Sequence, residues 1–142
     1  MVVLGGCAQD SVETSAPCPP ATRPPVGPEA IDRVMDQAIA DVVNRRAVPD
    51  PEARRQARRA IVTSCLQTVA SSEPVRLAIG EAARKVVEAC DAVIDRYNLA
   101  EATDAAFRGA DPPSPGALGG NRIAFEAQAA DILRDMRAGR CP

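Results

Sequence analysis

Histidine and tryptophan are absent from the 142 residues, and lysine occurs once, at Lys85. Without histidine there is no imidazole base for a nucleophilic triad, no imidazole metal ligand and no ordinary haem ligation. Aromatic residues are almost as scarce, limited to Tyr97, Phe107 and Phe125. No apolar run approaches the roughly 20 residues that a membrane-crossing helix needs. The formal net charge is only −2, so the molecule as a whole is not an electrostatic partner for nucleic acid. What remains is 46% hydrophobic and 25% charged. That balance belongs to a single globular domain whose core is made of Val, Ile, Leu and Ala.

The apolar residues recur with helical spacing. Ile31, Val34, Met35, Ala38, Ile39, Val42 and Val43 mark one face of a first helix. Pro28 stands at its start, Arg45 and Arg46 in its last turn, and Pro49 after it. Asp50-Pro51-Glu52 predicts an N-cap followed by a second helix from Pro51 to about Ala70. A third stripe runs from Val75 through Ile79, Val86, Cys90 and Ile94 to Tyr97. Asn98 ends or kinks it, with Glu101 as a capping-box partner. A short helix then reaches Phe107 and stops at Gly109. Residues 110–121, rich in Pro and Gly, read as a loop. Phe125, Ala129, Ile132, Leu133 and Met136 share a face of a last helix that Gly139 closes. No strand alternation is present, so the expectation is an all-α bundle of about four amphipathic helices over residues 28–142.

Residues 17–28 contain six prolines. Such density excludes helix and sheet and favours an extended, semi-rigid tether. Pro25-Val26-Gly27-Pro28 also fits a PxxP ligand, the less common use of such a segment.

Ahead of that tether, Leu4-Gly5-Gly6-Cys7 resembles the lipobox of bacterial lipoproteins, in which an aliphatic and two small residues precede the cysteine that receives lipid. Only Val2, Val3 and Leu4 stand before the small residues, whereas a complete signal has an apolar region of about 7–15 residues. The expectation is therefore that residues 1–27 comprise the remnant of a longer export signal, the lipidation site Cys7 and a linker. Cys18, Cys65, Cys90 and Cys141 are then left as an even set, which predicts two disulfides in an oxidising compartment. None of them is spaced as CxxC, so a zinc ribbon or a thioredoxin-like motif is not expected.

If the second and third helices turn back near Ser72, Cys65 and Cys90 are out of register by about ten residues, or about 15 Å. A disulfide spans about 7 Å between Cα atoms at most. Cys65–Cys90 is accordingly the least expected pair. Cys18–Cys65 with Cys90–Cys141, the preferred arrangement, and Cys18–Cys90 with Cys65–Cys141 both remain open.

Charge is distributed unevenly. Arg45, Arg46, Arg54, Arg55, Arg58 and Arg59 surround the first interhelical turn, against Asp50 and Glu52. Arginines in the first half of a helix oppose its dipole and call for a compensating anion. This cluster is the candidate site for an anionic ligand or partner, and a solvated face balanced by neighbouring carboxylates is the plainer reading. No catalytic constellation is evident. Lys85 lies beside the apolar stripe, and Gly116–Asn121 lacks the Lys-Ser/Thr of a phosphate loop.

The expected activity is therefore non-catalytic binding in the cell envelope, facing the periplasm or exterior, without metal or cofactor and without nucleic acid. A protein partner would dock a helix into a groove between helices, and the lipid would hold the module to the membrane. The architecture is similar to that of pilotins, helical disulfide-containing lipoproteins that escort secretion-channel subunits. A phage- or plasmid-encoded exclusion or lysis accessory lipoprotein, and a cytosolic regulatory bundle with free thiols, are the alternative classes.

Overall fold

The computed structural model describes residues 16–47 and 50–142. Met1–Ser15, including the lipobox-like motif and Cys7, lie outside the described residues. Five helices occur among those described, with no strands: α1 (Glu29–Val43), α2 (Pro51–Ala70), α3 (Ile79–Ala89), α4 (Asp91–Phe107) and α5 (Pro115–Arg137). The fold is the expected all-α bundle.

Two helices begin in the same way. Asp50 accepts a hydrogen bond from Ala53 N and Ser114 accepts one from Ala117 N, in each case with proline at the next position. The side-chain oxygen satisfies an orphan N–H, and proline fills a position that needs no donor. Three helices also end alike. Gly109 and Gly139 take φ of +67° and +73°, and Arg45 takes φ of +53°. Behind each, a 6→1 hydrogen bond closes the last turn: Ala110 N to Ala105 O, Arg140 N to Asp135 O and Arg46 N to Asp41 O. These are Schellman turns. Arg45 and Arg46 therefore stand beyond the end of α1 rather than in its last turn.

The core is built from Ile31 of α1, Val62 and Leu66 of α2, Val86 and Val87 of α3, Ile94 and Tyr97 of α4, and Phe125 and Leu133 of α5. Tyr97 meets Phe125 edge to face at 5.5 Å, a favourable quadrupole geometry. Ala82, Ala83, Ala100 and Ala129 complete the core and let the helix axes approach closely.

The disulfides are Cys18–Cys141 and Cys65–Cys90. The second overturns the expectation that this pair is the least favourable, and the physical reason lies in the connection. Residues 71–78 form no α-helix, so α3 begins at Ile79 and does not fold back on α2 from Ser72. The register counted from a turn at Ser72 therefore does not apply, and α3 packs chiefly on α5. Cys90 is both the C-cap of α3 and the N-cap of α4. The break thus falls at Cys90 rather than at Asn98, 6.1 Å from Cys65 between Cα atoms. Asn98 lies inside α4 and accepts a hydrogen bond from Asn121 Nδ2.

The proline-rich segment is fixed to the bundle. Cys18 is bonded to Cys141 and donates its N–H to Met136 O, and Ala21 N donates to Ser71 Oγ. From Cys18 to Pro28 the chain is a strap that passes α2 and the end of α5 and leads into α1, which packs on α2 and α4.

Candidate functional site

The arginine cluster separates into three groups. Arg54, Arg55 and Arg58 project from α2 onto α4, where Glu101 and Asp104 receive them. Arg58 donates through Nε (3.0 Å) and Nη2 (2.6 Å) to Glu101 Oε1. Arg55 Nε donates to Glu101 Oε2 and Arg55 Nη1 to Glu52. Arg54 donates through Nε and Nη2 to Asp104 Oδ1, while Arg58 and Arg108 approach Asp104 Oδ2 at 3.8 and 3.6 Å. Glu101 and Asp104 are the anions that the opposed dipole of α2 required. Hydrogen bonding to Glu101 raises the Arg55 pKa further.

Sequence reading placed Glu101 at a helix start and missed Asp104. Their signal was present. Tyr97, Ala100, Glu101, Asp104 and Ala105 share one helical face, so the two acids continue an apolar stripe where solvated charges are out of place.

Arg59 forms the second group, its guanidinium 5.7 Å from the centre of the Phe125 ring, within cation–π range. Arg45 and Arg46 form the third. Both are exposed, and neither has an ion-pair partner among the described residues.

An apolar groove opens beside this network. α1 is buried only near its start, at Ala30 and Ile31. Toward its end the stripe emerges into solvent: Ile39 is 47% exposed, Val42 64% and Val43 74%, and Phe107 at the end of α4 is 72% exposed. Together with Met35 and Ala38 they line a groove of about 440 Å³ between α1 and α4, closed at one side by Arg54, Asp104 and Arg108. Met35 joins groove to network, its Sδ accepting a contact from Arg58 Nη1 at 3.5 Å. The buried ion cluster is thus the support of the groove wall, with Arg108 lining the groove beside it, and Arg45 and Arg46 follow Val43 in the chain.

The other sequence candidates are structural or lie elsewhere. Cys18, Cys65, Cys90 and Cys141 are all disulfide-bonded. Lys85 makes an exposed pair with Glu81. Among the described residues, no group of three or more His, Cys, Asp or Glu side chains is placed to hold a metal ion, and no helix is long and apolar enough to cross a membrane. No protein-family model matches the chain, and no curated protein or solved structure is significantly similar to it.

Proposed function

We propose that the chain is a cell-envelope lipoprotein, anchored through Cys7, whose helical domain acts as a non-catalytic adaptor. It captures an amphipathic helix of a protein partner in the groove between α1 and α4. The observation that carries this reading is the uncovered stretch Ile39–Val42–Val43–Phe107, continuous with a groove of helical-side-chain dimensions. Single exposed apolar residues are ordinary, whereas a contiguous set bordering a groove is the usual mark of a docking surface. Arg108 in its lining, and Arg45 and Arg46 just after Val43 in the chain, suit a partner helix with acids flanking its apolar face. Four cysteines in two covalent pairs support an oxidising compartment.

The test joins the two halves of the proposal. Cys7→Ser in the full-length gene should move the protein from the membrane to the soluble fraction. A photo-crosslinking residue at position 42 or 107 should give one discrete adduct in the membrane fraction, lost when Val43 is changed to Asp. Unchanged fractionation would count against the anchor. Crosslinks from an exposed α5 position such as Ile123, but none from the groove, would count against the docking site.

A further inference from the structure

α1 carries a second message in the order of its charges. Asp36, Ile39 and Val43 are spaced by three and four residues, so they form one exposed stripe along the helix. The stripe is acidic toward the start and apolar toward the end, and Arg45 and Arg46 follow at once. Such an order is complementary to its own reverse. We infer that two copies of this chain pair through antiparallel α1 helices.

About a two-fold axis level with Asp41, Ile39 of one copy meets Val43 of the other. The Arg45–Arg46 end of each then lies level with Asp36 of its partner. Every attraction occurs twice, as an isologous interface requires, and the two helix dipoles oppose. Asp36, Arg45 and Arg46 have no ion pair among the described residues, so these charges are available. Asp32, one turn earlier, is held by Arg96 of α4 and bounds the seam. Phe107 lines the groove with Ile39 and Val43 and widens the apolar strip offered to a second copy. One helix pair is a small interface, which places the dimer at the weak, concentration-dependent end of association. Because the seam shares Ile39, Val43 and Phe107 with the groove, a second copy and a docked helix exclude one another. The pairing itself depends on neither the compartment nor the partner proposed above.

Sedimentation equilibrium on the oxidised chain carrying Cys7→Ser tests it in isolation. The mass should rise from one chain toward two with concentration. Asp36→Arg, and separately Arg45→Glu with Arg46→Glu, should each weaken self-association by about tenfold or more, since each brings like charges together twice. Mixed in equal amounts, the two variants should associate with each other at least as well as the parent chain, because both contacts become attractive again. That recovery also shows that the variants are folded. A parent chain that stays monomeric at about 1 mM, single variants that associate like the parent, or a mixture that fails to recover would each overturn the inference.

Discussion

Arg58 of α2 donates twice to a single carboxylate oxygen of Glu101 on α4, from a side chain with no solvent exposure at all. Removing one member of such a pair is costly because the other charge stays buried. Glu101→Ala should therefore destabilise the domain by about 3–5 kcal/mol, leaving Arg58 with Asp104 at 3.8 Å as its carboxylate partner and the Met35 Sδ contact at 3.5 Å. Arg58→Met should cost less, since Glu101 keeps Arg55. Arg58→Met with Glu101→Leu should recover much of the loss. Denaturant titrations of the three variants check the order.

The two disulfides differ in shelter. Cys65 and Cys90 are fully buried, whereas Cys141 is exposed near the chain end. Under limiting reductant, alkylation should label Cys18 and Cys141 first and Cys65 and Cys90 only as the domain unfolds. Peptide mapping should return these two pairs and no free thiol among the four. By loop-entropy arithmetic each bridge contributes about 3–5 kcal/mol, so loss of either should lower Tm by many degrees.

Helix α1 ends with an arginine where glycine is the natural occupant. Arg45 sits at φ +53°, a left-handed conformation that costs an L-residue about 1 kcal/mol. Arg45→Gly should raise the unfolding free energy by up to that amount, while Gly109→Ala and Gly139→Ala should lower it. Thermal melts of the three variants carry the comparison.

Burial, and secondarily the charge of Glu101, raise the Tyr97 pKa above its ordinary 10.0, against the opposing pull of Arg59, Arg55 and Arg58. The unfolded phenol thus ionises first. This contribution to stability is complete below pH 10.0 and declines above it until the folded phenol ionises as well. Tyr97→Phe should flatten the alkaline limb of the stability profile above about pH 10.

Much of this architecture was legible in the residues. Asp50-Pro51 gave the start of α2, Gly109 and Gly139 gave two helix ends, and Phe125, Ala129, Leu133 and Met136 gave the buried face of α5. Where reading failed, the pattern itself was silent. Val86, Val87, Val93 and Ile94 are buried on both sides of Cys90, so the apolar stripe crosses the break between α3 and α4 without a visible change of phase. Residues 115–121 read as a loop because Gly116, Gly119 and Gly120 outweighed Ser114-Pro115, the same start signal as Asp50-Pro51. A side chain at Gly119 or Gly120 would meet nothing within 4 Å, so packing does not explain those glycines. The basic cluster was visible from the outset, but its acceptors lie some 45 residues away on α4, a distance that only the fold closes. The groove was hidden for a different reason. Periodicity marks the apolar face of α1, and it carries no record of how far along the helix its neighbours extend.

The Cys18–Cys141 bond closes a loop with a sequence separation of 123 that contains all five helices. A pull applied from the amino-terminal side and resisted beyond Cys141 would pass through two sulfur atoms and load none of the five helices. Force borne by a molecule held on α1 or α4 would take another route, through the strap and the packed core. The clasp therefore lets tension along the backbone bypass the helices between its two cysteines.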